Sequence, residues 1–221
     1  MSTMSMSSMV RGRRDEQAAA AVDSSSSGGV YVPKDGMPMM HQGRLPPVLP
    51  WPDIGQIAKW SVSSYKFGFG SECLRDGDPD TFWHSDGPQP HFITIEFPHK
   101  VAIQKISIYL SWPHDDSYTP STLAIRAGTG PSDLQDVRVA TFEKPEGWIT
   151  FDVSSELDED ATSFKPIYAY VLQIIVVANH MSGKDTHIRG LKVLGPIEDN
   201  AAEEDPFPFI SPAFKMYESL R

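Results

Sequence analysis

Asn179, His180, Asp185, Thr186 and His187 fall within nine residues of chain, together with Ser182 and Gly183. Side chains of these types can move protons, ligate a metal or hold a ligand by hydrogen bonds. Nucleophilic catalysis needs a base within hydrogen-bond reach and a group to stabilise the oxyanion. The chain has no Gly-x-Ser-x-Gly elbow, phosphate loop or His-Glu-x-x-His motif. His180 and His187 lie seven apart, which matches no standard zinc spacing, and there is no pair of cysteines to complete a site. The composition therefore fits non-catalytic recognition by hydrogen bonds, with no metal and no cofactor expected.

Three other places carry reactive or ligating groups. Asp76, Asp78 and Asp80 alternate as calcium ligands can, but Pro79 interrupts them and acids of this kind also build turns. Cys73 is the one cysteine, so no internal disulfide is possible, and it reads as a small side chain near a turn. In Trp83-His84-Ser85-Asp86-Gly87, Trp83 reads as core, while Ser85 and Asp86 read as turn-ordering groups that could also support a pocket. Ser117 and Tyr118 precede a strand. Tyr118 reads as either core or ligand-facing. His187 and Arg189 open a strand and could either touch a ligand or brace the loop. Gly183 is expected to supply a backbone conformation closed to other residues.

The elements that must position these groups are strands. Apolar residues alternate with polar ones at 93–97, 106–110, 123–127, 137–139, 149–153 and 188–194. Tyr170 to Val177 is apolar on both faces, the pattern of a central strand in a two-layer core. Asp53 is placed to cap a short helix over 54–59, after the stiff Pro46 to Pro52 connector. Many short strands separated by Gly, Pro, Asp and Ser argue for an all-β sandwich, with its ordered part spanning residues 46–196. Residues 1–45 lack a core pattern and read as a disordered arm, and residues 197–221 as an extended tail. Phe207, Phe209, Ile210, Phe214, Met216 and Tyr217 in that tail suggest docking onto another surface.

The formal net charge of −10 on 221 residues disfavours nucleic acid as a direct partner and favours basic peptides. No apolar run reaches the roughly 18–20 residues that span a bilayer. The N-terminus has no hydrophobic signal core, so nucleus and cytoplasm are the expected compartments. Arg11-Gly12-Arg13-Arg14 is a small basic cluster and reads as part of a solvated tail.

Four stretches in order resemble one family. They are Trp60-Ser61-Val62-Ser63-Ser64; Leu74-Arg75-Asp76 with Trp83 to Gly87 and Gln89-Pro90-His91; Asp116 to Ser121; and Ala178 to Arg189. They cover roughly residues 53–196 and are similar to the DOC domain of the anaphase-promoting complex, the subunit ten family. His84 stands where the family often has Gln, and Asp116 where Glu is common. The resemblance implies a galactose-binding-like jelly roll and a non-catalytic co-receptor for destruction-box degrons, beside a WD40 coactivator. It implies that Ser117, Asn179, His180, Ser182, Gly183, Asp185, Thr186 and His187 bind the degron, with Ser85, Asp86, Tyr118 and Arg189 in support. It also implies that the terminal Leu220-Arg221 docks into a TPR-repeat subunit. Two readings compete with this one. Relatives of the jelly roll bind sugars, so a carbohydrate-binding module is the first, though an aromatic stacking platform is not evident. The second is a scaffold with a vestigial pocket.

Overall fold

The computed structural model describes residues 38–157 and 163–197. The expected tail and its Leu220-Arg221 end lie outside the described residues, as does most of the N-terminal arm. The described strands are β1 (Met39–His41), β2 (Lys59–Val62), β3 (Trp83–His84), β4 (His91–Ile103), β5 (Lys105–Ser111), β6 (Pro120–Gly128), β7 (Gln135–Thr141), β8 (Glu146–Asp152), β9 (Ile167–Asn179), β10 (His187–Ile188) and β11 (Gly190–Leu194). One turn of helix, α1 (Trp112–Asp115), joins β5 towards β6.

The strands form two antiparallel layers, β1-β8-β5-β11 and β2-β4-β9-β6-β7, while β3 and β10 pair with each other. The period-two pattern aims Ile93 and Ile95 of β4, Ile106, Ile108 and Leu110 of β5, Ile149 and Phe151 of β8, and Leu191 and Val193 of β11 into one core. Burying each such side chain contributes about 1.5–3 kcal/mol. Trp83 is wholly buried in this core, and its indole N–H donates to Ser64 O at 2.9 Å, so the large ring carries no unsatisfied donor. The all-β jelly-roll sandwich expected from the periodicity and the resemblance is the observed architecture.

Two local expectations are corrected. β1 pairs with β8, and Arg44 O accepts from the Trp148 indole at 3.4 Å, so the sandwich starts before residue 46. A three-residue strand is too short to show a period, which is why the sequence hides it. The stretch after Asp53 is a 3-10 turn, Ile54–Ile57, rather than a helix reaching residue 59, because Lys59 already pairs in β2. Asp53 does cap that turn, accepting from Gly55 N at 3.0 Å. β9 is central, between β4 and β6, as its pattern implied, and its outer face is open: Tyr168, Tyr170 and Val177 are exposed. An antiparallel sheet can leave one face in water, so apolar residues on both faces do not require two covers.

Candidate functional site

Pairing of β3 with β10 sets His84 directly opposite His187, and Trp83 opposite Ile188. This two-strand ribbon brings the 84–91 segment next to the β9–β10 loop, with the β5–β6 connection on the other side. The Asn179 loop is then fixed from within. Asn179 is buried, and its side-chain amide donates to Asp185 O at 2.8 Å and Gly183 O at 3.2 Å. Its carbonyl oxygen accepts from the Thr186 hydroxyl at 3.2 Å. Ser85 Oγ accepts from Thr186 N at 2.9 Å, and Ser85 N donates to Thr186 O at 3.1 Å. Ser85, Asn179 and Thr186 thus shape the loop.

His180 is equally committed. Its backbone N–H and ring Nδ1–H both donate to Thr119 O, at 2.9 and 3.0 Å, and its Nε2 accepts from Lys144 N at 3.2 Å. The ring packs on Trp112 at 4.7 Å between centroids. His91, also buried, donates from Nε2 to Lys184 O at 2.8 Å and holds the far side of the loop.

Gly183 serves differently from expectation. Its φ is −58°, open to any residue, but a Cβ there would lie 1.8 Å from Ser117 O. The glycine is required by close approach of two loops, and the left-handed residues are Met181 and Ser182, with φ of 51° and 58°.

Beneath the loop lies an ionic cluster. Arg189 clamps Asp115 with two bonds of 2.7 Å, and its Nη1 donates to Pro79 O at 3.0 Å. His187 Nδ1 donates to the same carboxylate at 3.1 Å. Burial pushes the Asp115 carboxyl up, but the His187 and Arg189 hydrogen bonds outweigh it and hold the group below the usual range. Tyr118 stacks on His187 at 4.3 Å and Phe82 covers its other neighbourhood at 4.2 Å. Arg189 is therefore a brace within the fold. Asp115, Trp112, Lys144 and the contact of His84 with His187 were missed by sequence reasoning, because partners 36 to 103 residues away leave no local period.

What remains outward is a polar rim. Asp116, Ser182 and Lys184 are exposed, as are Met181 and Asp86, and Ser117 and Asp185 are half-buried. Asp86 contributes its backbone N–H to Ser64 Oγ at 3.2 Å, which leaves its carboxylate unused in that contact. Elsewhere, the aspartates of the 76–80 turn cap one another. Asp78 N donates to Asp76 at 3.0 Å, Asp80 N to Asp78 at 2.9 Å, and Thr81 Oγ1 to Asp76 at 2.7 Å. Among the described residues no group of three His, Cys, Asp or Glu gathers as metal ligands, and no helix is long and apolar enough to cross a membrane. Cys73 is buried, and desolvation, with Glu72 and Asp76 adding to it, pushes its thiol up, away from a reactive thiolate.

Residues 34–219 match the family described as Anaphase-promoting complex, subunit 10 (APC10). Anaphase-promoting complex subunit 10 of Schizosaccharomyces pombe is 43% identical over 170 residues, 76% of this chain and 87% of that protein. The Homo sapiens protein of the same name is 38% identical over 170 residues, again 76% of this chain and 88% of that protein. Among solved structures, a CBM32 module of Clostridium perfringens in complex with GalNAc-β-1,3-galactose superposes with a TM-score of 0.51 at 13% identity, covering 64% of this chain and 97% of that one. At that identity the likeness concerns the fold alone, a galactose-binding-like sandwich. The family match over most of the length, with the four motifs in order, means that this chain belongs to the anaphase-promoting complex subunit 10 family.

Proposed function

We propose that this protein is a non-catalytic subunit of the anaphase-promoting complex, a ubiquitin ligase, and that its stapled loop end is a co-receptor for destruction-box degrons. Membership of the subunit 10 family supports the assembly. The observation that carries the site is the division of labour at the loop end. Ser85, Asn179, His180, Thr186 and Arg189 lock three segments together, while Asp116, Ser117 and Ser182 are left to meet a ligand, and half-buried Asp185 turns one oxygen inward, 3.5 Å from Ser85 Oγ and 3.8 Å from His91 Nε2, and keeps the other for a ligand. A pre-ordered loop binds without an ordering cost, so weak contacts lengthen dwell. Longer dwell allows more ubiquitins per encounter, and a second contact on the same degron by a WD40 coactivator adds avidity. The ubiquitin chemistry is assigned to other subunits. A TPR-repeat subunit would receive Leu220-Arg221, and the protein would work in nucleus and cytoplasm.

The test is a ligase reconstituted with this subunit carrying Asp116→Asn, Ser182→Ala and Asp185→Asn together. Incorporation should be normal, while the number of ubiquitins added per substrate encounter falls. Wild-type processivity with the variant fully incorporated would sink the co-receptor reading. Removing Leu220-Arg221 should have the converse effect, with weaker incorporation and unchanged peptide binding by the isolated subunit.

A further inference from the structure

We propose that His84 is a ligand-contacting residue whose hydrogen-bond sense is set, through His187, by the buried Asp115–Arg189 pair. Its Nε2 accepts from an N–H or O–H of the bound peptide, and one proton taken up by the cluster reverses it to a donor. The inference rests on the peptide-binding reading of this end of the sandwich and adds a residue and a polarity to it.

The chain of bonds fixes the tautomers in turn. Asp115, clamped by Arg189, is an acceptor, so His187 must carry its hydrogen on Nδ1. A neutral His187 then has a bare Nε2. That atom lies 2.8 Å from His84 Nδ1, a distance that requires one hydrogen between the two nitrogens. His84 supplies it from Nδ1, which leaves His84 Nε2 without a proton. This last nitrogen is neither enclosed nor paired among the described residues, and its ring is only half-buried, 5.6 Å from Tyr118. Adding one proton to either ring places a hydrogen on His84 Nε2. The outer atom therefore reads the cluster as an acceptor or as a donor.

The surrounding charges favour the acceptor form at neutral pH. Lys66, on the turn hydrogen-bonded to β3 through Lys66 N and His84 O, disfavours a second positive charge, as does His187. Asp86 and Asp185 act the other way, and Asp115 is already neutralised by Arg189. Desolvation and His187 lead the balance and push the His84 imidazole below its ordinary value. Glutamine in place of His84 could offer an acceptor oxygen at the same depth with no titration, which makes it the informative replacement.

The experiment measures binding of a histidine-free destruction-box peptide by fluorescence anisotropy between pH 5 and 8, at constant ionic strength, with the full chain. Wild type should bind best at neutral pH and lose about tenfold per pH unit once below the midpoint of the cluster. His84→Gln should keep near wild-type affinity at pH 7.5 with a flat profile, and His84→Ala should lose about threefold to tenfold at that pH. Imidazole nitrogen shifts should show His84 Nδ1 protonated and Nε2 bare at neutral pH, with or without peptide. A flat wild-type profile with intact binding, or a His84→Gln variant that keeps the wild-type profile, would overturn the proposal and leave the site standing. A protonated Nε2 at pH 7.5 would overturn it independently of any ligand. Failure of the peptide to bind at every pH overturns the degron reading itself, and this contact with it.

Discussion

Asp115 and Asp116 share a peptide bond, yet the first is 4% exposed and held by Arg189 and His187, while the second is exposed on a residue with φ of 45°. One ionisable group is part of the fold, and its neighbour is available to a ligand. The same split runs through the β9–β10 loop, where Asn179 and Thr186 are buried and Ser182 is exposed. Side-chain type does not separate the two roles. What separates them is whether a second segment of chain reaches the group and completes its hydrogen bonds. On the proposed degron-binding reading, rigidity and affinity at this end are carried by different residues, and mutations should separate them.

The largest effect is expected on the buried side. Asp115→Ala strands the Arg189 guanidinium, and breaking a buried pair of this kind costs about 3–5 kcal/mol. Trp83→Ala falls in the same range, about 3–5 kcal/mol, by opening a cavity in the core. Urea denaturation checks both, and an Asp115→Ala protein with wild-type stability would mean that the cluster is not structural. Gly183→Ala comes next. Its new methyl must displace the Ser117 carbonyl, at a cost of about 1–3 kcal/mol. Amide exchange should show the loss concentrated in the 115–120 and 179–187 segments, and a uniform change across the sandwich would contradict the close-approach account.

The pH response tests the same division. The folded protein holds the His84 imidazole below 6.5 and the Asp115 carboxyl below 3.8. In both cases the unfolded chain takes up the proton first. The stability they contribute is present above 6.5 and above 3.8 respectively, and is lost as pH falls through each folded value. Thermal melts should therefore decline on acidification in two stages, and Asp115→Asn should remove the lower one. The smallest effect on stability belongs to the rim. Asp116→Asn and Asp185→Asn should stay within about 0.5 kcal/mol of wild type while weakening peptide binding. A large drop in melting temperature for Asp116→Asn would erase the contrast with Asp115.

Much of this architecture could be read along the chain. The alternation of Ile93-Ile95-Phe97 and of Ile106-Ile108-Leu110 marks strands because a pleated backbone alternates its side chains. β1 and β3 went unread because three and two residues carry no period. The site loop was legible as a polar cluster between two apolar segments, and the motif order around it pointed to the family. The roles within the loop were not legible. Asn179, His180 and Thr186 look like ligand groups in sequence, and the fold gives each of them hydrogen bonds within the loop end as well.

The amino-acid sequence by itself determined the β class, the core face of each long strand, the place of the loop and the family, because all of these depend on local period or on motif order. Only the tertiary structure decided that Asp115 meets Arg189, that His84 meets His187, and that Gly183 is needed for Ser117. Those contacts join positions far apart in the chain, and a buried polar group is defined by the partner that satisfies it, which no local pattern records.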